Sequence, residues 1–225
     1  MELVLEIINI IGIISFAAAG AMVAIDKEND FFGVITLSLI TCFGGGLIRD
    51  MIGGGAIGRA LPAVFTDMKM EIIVCIFTAL AVFLIAMITK EKYVREEVKV
   101  EFINNFLDAL GIGVFTAAGT GAYIGLGFFI SMFMGLLSSV GGSITRDIIL
   151  NTIPVVFRKR IYAIACMAGS ATYYLIFTYF MKDSPTASLV ATLCCIGVIF
   201  VIRMCATFFR WNMPVAIDFS KIKKD

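Results

Sequence analysis

The chain has 225 residues, of which 60% are hydrophobic and 16% are charged, and its mean hydropathy is +0.99. A soluble protein of this size could not cover so much apolar surface, so the composition predicts an integral membrane protein. The net charge of +1 argues against nucleic acid as a partner, and the absence of histidine removes the commonest general base and metal ligand.

Uncharged stretches mark the predicted membrane spans, because about 20 helical residues cross the hydrocarbon core of a bilayer. In chain order these stretches are residues 7–25, 31–58, 72–89, 109–145, 161–181 and 184–202. The second is interrupted only by Arg49 and Asp50, and the fourth is long enough for two spans that turn near Gly125 and Gly127. The sequence therefore predicts an all-α membrane protein with seven transmembrane helices.

Lysine and arginine set the predicted orientation of these helices. Twelve of them fall in connections on one side, three fall on the other, and three lie within spans. We expect the richer side to be cytoplasmic, with the N-terminus outside the cell (inner) membrane and the C-terminus inside. Arg203, within the last span, is expected to snorkel to the cytoplasmic surface in preference to meeting Asp108.

A repeated phrase divides the chain into two halves. Residues 44–50 (GGGLIRD) recur as residues 141–147 (GGSITRD), residues 16–20 (FAAAG) as 115–119 (FTAAG), and residues 62–65 (PAVF) as 154–157 (PVVF). Because three spans per half is an odd number, the second half must enter from the opposite face, which predicts an inverted repeat. The predicted units are a three-helix repeat (1–90), a charged cytoplasmic linker (91–100), a second three-helix repeat (101–182), a seventh helix (183–208) and a cytoplasmic tail (209–225).

Glycine clusters in the second and fifth spans predict a kink or unwinding there, since each glycine is about 1 kcal/mol less favourable than alanine inside a helix. Unwound carbonyls at that depth require a protein or water-filled surrounding and would favour a cation. The predicted kinks lie at Gly44, Gly45, Gly46, Gly141 and Gly142. Neutral oxygens around them come from Thr41, Ser138, Ser139, Ser143 and Thr145.

An Arg-Asp pair follows each glycine cluster, and such residues are costly in hydrocarbon. Neighbouring residues point about 100° apart on a helix, so we expect pairing across the repeats, Arg49 with Asp147 and Arg146 with Asp50. The four charges would then border a shared polar pathway. The alternative is that they only fix the register of the helices.

These motifs resemble the prokaryotic trimeric intracellular cation (TRIC) channel family, whose members are also labelled glycine-transporter or YicG-like membrane proteins. The resemblance covers about residues 5–208 and departs from the motif at Ser143, where the first copy has a third glycine. It implies a homotrimer in which each subunit has its own pathway between the two repeats. It also implies passage of monovalent cations, mainly potassium, past the glycine kinks and a constriction that includes Arg49, Asp50, Arg146 and Asp147.

The leading hypothesis is therefore a passive potassium-permeable channel in contact with membrane lipids and without a cofactor. A secondary transporter of a small solute such as glycine is the main alternative, since inverted repeats with broken helices also suit alternating access. A structural membrane subunit without transport is the third. No nucleophile–base pair indicates an enzyme, and the six cysteines, all in apolar segments, predict neither a disulfide nor a metal site.

Overall fold

The computed structural model describes residues 1–158, 161–180, 184–209 and 211, which form helices and no strand. The helices are α1 (Glu2–Asp26), α2 (Phe31–Gly53), α3 (Ala63–Thr66), α4 (Lys69–Arg95), α5 (Glu97–Ala122), α6 (Phe128–Ile149), α7 (Val155–Arg158), α8 (Tyr162–Leu175) and α9 (Ala187–Phe208). Seven of them, all except α3 and α7, are long and apolar enough to cross a membrane, with α8 extended by a π-helical turn at Ile176–Phe180. The all-α class and the seven predicted spans are confirmed.

Local sequence explains where several helices begin and end. The Asp30 carboxylate accepts a hydrogen bond from the Gly33 amide (2.8 Å) and so caps the start of α2. The long apolar stretch 109–145 turns as predicted: a 3₁₀ turn at Ile124–Leu126 is followed by Gly127, whose φ of +92° suits glycine. The charged segment 91–100 extends α4 and α5, which meet at Glu96. Of the predicted tail 209–225, only residues 209 and 211 lie in the described part.

The helices form two inverted three-helix repeats, α1–α2–α4 and α5–α6–α8, and the seventh spanning helix, α9, packs against α5 and α8. The repeats meet along two pairs of equivalent helices. Phe16 on α1 stacks on Phe115 on α5, with ring centroids 5.1 Å apart. Along the second pair, α2 and α6 make the most extensive contact between any two of the described helices. The repeated sequence motifs therefore lie at the boundary between the two halves.

The glycine clusters bring α2 and α6 into backbone contact. A Cβ on Gly44 would lie 3.2 Å from the Cα of Gly142, and one on Gly141 would lie 2.9 Å from the Cα of Gly45. On Gly45 a Cβ would overlap the carbonyl of Ser138. Small residues allow such close crossings in membranes because the helix backbones themselves can then pack together.

Of the predicted kink or unwinding, the unwinding does not occur, because α2 and α6 are continuous helices through both glycine clusters. The cost of glycine in a helix is offset by the close crossing, so no carbonyls need be freed for another partner. Gly20 and Gly119, the last residues of the repeated segments 16–20 and 115–119, allow two further close contacts beside this crossing. A Cβ on Gly20 would meet the Thr41 hydroxyl at 2.7 Å, and one on Gly119 would meet the Ser138 Cβ at 2.6 Å.

Candidate functional site

The first Arg-Asp pair is a closed ion pair within α2. The Arg49 Nε donates to Asp50 Oδ1 at 2.8 Å, and Nη2 lies 2.7 Å from the same oxygen. The other carboxylate oxygen, Oδ2, accepts from the backbone amide of Ala63 (2.9 Å) and from Nη1 of Arg59 (3.2 Å). Asp50 thereby joins α2 to the start of the short helix α3 and is satisfied on both oxygens although its side chain is only 1% exposed.

The second Arg-Asp pair repeats this arrangement in α6. Arg146 donates to Asp147 Oδ1 through Nε (2.9 Å) and Nη2 (2.8 Å). Asp147 Oδ2 accepts from the backbone amide of Val155 at 2.9 Å, at the start of α7. Each aspartate thus binds its neighbouring arginine and the first amide after the proline of the PAVF or PVVF segment. The match between those segments was the sequence signal for this contact.

The predicted pairs across the repeats, Arg49 with Asp147 and Arg146 with Asp50, are therefore wrong. The arginine and aspartate side chains of each pair leave the helix in different directions, but the long arginine side chain bends back to the adjacent aspartate. The aspartate is held in place by the backbone amide at the start of the short helix that follows, α3 or α7. Arg49 still reaches the other repeat, where its Nη1 donates to the hydroxyl of Ser138 on α6 at 3.1 Å.

A cavity of about 270 Å³ lies beside the first pair and is lined by residues of both repeats. Arg49, Asp50 and Ser138 belong to its lining, together with Phe43, Gly46 and Phe115. Its remaining polar lining consists of Asn9, Arg59, Asp67 and Glu71. The lining therefore carries three carboxylates and two guanidinium groups, which leaves a net negative charge.

Tyr123 lies beside the same pair, with its ring centroid 6.0 Å from the Arg49 guanidinium carbon. Its side chain is fully buried in the turn between α5 and α6. Burial, and secondarily the Asp50 carboxylate, raises the pKa of the Tyr123 phenol above its usual value. The phenol therefore stays neutral and adds no negative charge to the site.

The corresponding region of the second repeat is filled by a buried polar network. Arg203 Nη2 on α9 lies 3.0 Å from Asp108 Oδ2 on α5, and the Tyr162 hydroxyl on α8 donates to Asp108 Oδ1 at 3.2 Å. The same hydroxyl lies 3.4 Å from the hydroxyl of Ser143 on α6, and the Arg203 guanidinium sits 4.4 Å from the Tyr162 ring centroid. The network thus joins four helices.

Arg203 does not snorkel as predicted, since it is 4% exposed and is paired with Asp108. Burying the arginine is tolerable because its charge is neutralised and its planar group stacks on Tyr162. Asp108 stands 99 residues after Asn9, the spacing that also relates Phe115 to Phe16. Where the first repeat has a cavity lined by Asn9, the second therefore has an ion pair contributed by α9.

The five hydroxyl groups that the sequence predicts around the glycine clusters fall into two sets. Ser138 contacts Arg49 and Ser143 contacts Tyr162, so both belong to the polar regions just described. Thr41, Ser139 and Thr145 instead donate to carbonyls four residues back in their own helices, at 2.6, 3.1 and 2.8 Å. Sequence reasoning missed Asn9, Arg59 and Tyr162. The 99-residue spacing from Asp108 was the available signal for Asn9.

The family model described as Glycine transporter matches residues 6–87 and 105–178, more than half of the chain. A solved prokaryotic TRIC channel shares 27% identity and a TM-score of 0.77 with it, over 95% of this chain and all of that one. The chain belongs to the TRIC family. A UPF0126 membrane protein of Deinococcus radiodurans is 35% identical over 81% of this chain and 82% of its own length. The UPF0126 inner membrane protein YadS of Escherichia coli is 29% identical over 92% and 93%, respectively.

Membership of the TRIC family agrees with the seven membrane-crossing helices, and the chain is a multi-pass membrane protein. The two matched segments each contain one glycine cluster, one Arg-Asp pair and the proline segment that follows. The α9 helix that supplies Arg203 lies beyond the second matched segment.

Proposed function

We propose that this protein is a cation channel, and that ions pass between its two repeats. The observation that carries the proposal is the presence of an Arg-Asp pair after each glycine cluster, each bonded to its own arginine and to a proline-segment amide, with a cavity beside the first pair. A solved relative at 27% identity is named a TRIC channel, which supports the same class of activity.

Charge favours cations over anions in the cavity. Asp50 neutralises Arg49, so the permanent guanidinium does not present an unbalanced positive charge to an ion. Asp67 and Glu71 add negative charge and attract cations toward the lining. Hydroxyl oxygen from Ser138 is available beside the pair.

The finer parts of the proposal follow from the family resemblance. The permeant ion is potassium, no cofactor is required, and three copies assemble with a separate pathway in each subunit. The cavity opens toward the outer side of the inner membrane, which is the side whose connections carry fewer lysines and arginines. Exposed apolar side chains, among them Phe77, Ile88 and Phe129, provide surface for lipids and for neighbouring copies.

A transporter of glycine is the second candidate, because the matching family model carries that description and the cavity holds both arginine and carboxylate groups that suit a zwitterion. Recordings from the purified protein in planar bilayers, together with potassium and glycine flux in liposomes, distinguish a channel from a transporter. A channel gives unitary current steps in planar bilayers and a potassium conductance that needs no coupled solute. Saturable glycine uptake without unitary currents would overturn the channel proposal.

Replacing Tyr162 with phenylalanine is expected to raise potassium conductance several-fold. The change removes the hydroxyl that joins Asp108 to Ser143 and keeps the ring beneath Arg203, so the network that fills this half of the pathway loosens while packing is retained. Tyr93→Phe is the matched control, since its hydroxyl bonds Asp26 at 3.4 Å in an exposed position. Equal potassium conductance in wild type and Tyr162→Phe would show that the network does not restrict ion passage.

A further inference from the structure

The cavity of the first repeat corresponds to the space that the Arg203 guanidinium fills in the second repeat. Asp108, which pairs with Arg203, stands 99 residues after Asn9. Ser143, which belongs to the same network, stands 97 residues after Gly46, the spacing of the two glycine clusters. Asn9 and Gly46 both line the cavity. Arg203 itself has no counterpart, because α9 follows the two repeats.

The third spanning helix of each repeat completes this correspondence. Its register is given by two equivalent side-chain contacts: Cys42 with Cys75 at 3.6 Å, and Ser139 with Cys166 at 3.5 Å. The members of these contacts on α4 and α8 are 91 residues apart. The same spacing makes Glu71 the counterpart of Tyr162, and Glu71 also lines the cavity.

Both repeats keep one carboxylate at these positions, although it changes helix. In the second repeat Asp108 on α5 supplies it, 3.0 Å from the Arg203 Nη2. In the first repeat the neutral Asn9 takes the place of Asp108. Glu71 takes the place of Tyr162 and brings the carboxylate from α4 instead. The first repeat therefore has the negative charge of this site but no helix that brings a matching guanidinium.

Glu71 is also the lining carboxylate that has no ion pair among the described residues. The other charged groups of the lining lie together: Arg49 2.7 Å from Asp50, and Arg59 3.2 Å from Asp50 and 4.0 Å from Asp67. The cavity thus contains one negative charge that the described part of the chain does not neutralise. A cation from solution would neutralise it.

We propose that this cavity binds a small organic cation with a guanidinium group, held by the Glu71 carboxylate and the side-chain carbonyl oxygen of Asn9. A guanidinium is planar and donates parallel hydrogen bonds that match a carboxylate. The rings of Phe43 and Phe115 in the lining suit its flat face, as the Tyr162 ring suits that of Arg203. The cavity volume of about 270 Å³ admits the group, which takes the room of about two water molecules, or roughly 60 Å³.

The test measures binding of methylguanidinium to the purified full-length protein by saturation-transfer NMR on its methyl group. Methylurea, which has the same shape and no charge, is the control ligand. Wild type should bind methylguanidinium saturably and methylurea not at all. Glu71→Gln should weaken binding roughly tenfold or more, the usual result of removing one partner of a hydrogen-bonded charge pair. Equal signals from the two ligands in wild type would overturn the proposal.

Asp67→Asn is the matched control variant, because it removes a lining carboxylate whose side chain is 67% exposed. Wild-type affinity is expected for it if Glu71 holds the cation. An equal loss of affinity in Asp67→Asn and Glu71→Gln would mean that only the overall charge of the lining attracts the ligand, and would contradict the proposed site.

A second variant tests the site by a gain of affinity, which misfolding cannot produce. Asn9→Asp places a carboxylate where the second repeat has Asp108, so methylguanidinium should bind several-fold more tightly. Unchanged or weaker binding by this variant would contradict the correspondence between the cavity and the Arg203 site. The site lies in the pathway of the proposed function, but neither measurement uses ion flux. Failure of the site is therefore distinguishable from failure of the channel proposal.

Discussion

Gly45→Ala is expected to reduce the yield of folded protein to a small fraction of the wild-type yield. The added methyl group would overlap the carbonyl of Ser138 on the facing helix, and a backbone atom cannot rotate away as a side chain can. The helices would have to separate, at a cost of about 3 kcal/mol or more, the upper end for overpacked interiors. Gly142→Ala should behave alike, because its methyl group would overlap the carbonyl of Thr41. Thermal unfolding in detergent and the monodisperse fraction on gel filtration measure both effects.

Gly46→Ser is the matched control within the same motif. The nearest atom to a Cβ there is the Arg49 Nη2 at 3.9 Å, and the corresponding residue of the second repeat is already Ser143. Wild-type stability is expected for this variant and also for Gly55→Ala, where nothing lies within 4 Å. If Gly45→Ala were as stable as Gly46→Ser, the close α2–α6 crossing would be refuted.

Asp50→Asn is expected to destabilise the protein by roughly 3–5 kcal/mol, the usual cost of breaking a buried ion pair. The Arg49 guanidinium would remain buried without a countercharge, and Arg59 would lose its nearer carboxylate. Asp147→Asn should have a similar effect in the second repeat, because it strands Arg146. Unfolding midpoints in detergent and potassium flux in liposomes report the loss.

The control for this change is Asp67→Asn. The Asp67 side chain is 67% exposed, and its carboxylate lies 4.0 Å from the Arg59 guanidinium, which makes a weak ion pair. The effect of this substitution on stability should be within about 1 kcal/mol, as for other exposed ion pairs. Combining Arg49→Gln with Asp50→Asn should recover part of the lost stability, since no charge is then left unpaired. An unaltered midpoint for Asp50→Asn alone would show that the buried Arg49–Asp50 ion pair does not stabilise the fold.

Sequence predicted the class of the fold and the spans because uncharged length and odd repeat number constrain them strongly. It also pointed to Arg49, Asp50, Arg146 and Asp147 as residues that act together. Pairing could not be predicted from helix geometry alone. The short helix after each proline, which supplies the amide that orients the aspartate, has no hydrophobic period of its own.

The role of the glycines was likewise only half predictable. A cluster of glycine in a membrane helix indicates either a break or a close neighbour, and the two differ only in what lies opposite. Here the opposite residues are glycines of the other repeat, Gly141 and Gly142. The burial of Arg203 depended on the same kind of information, since Asp108 is 95 residues away in the chain.

Arg203 also gives the molecule a direction. The two repeats are built alike and run oppositely, so the elements they share place a similar polar region toward each membrane face. A single guanidinium, brought by the one helix without a counterpart, makes one end unlike the other. The helix added to the duplication therefore makes the two polar regions different from each other.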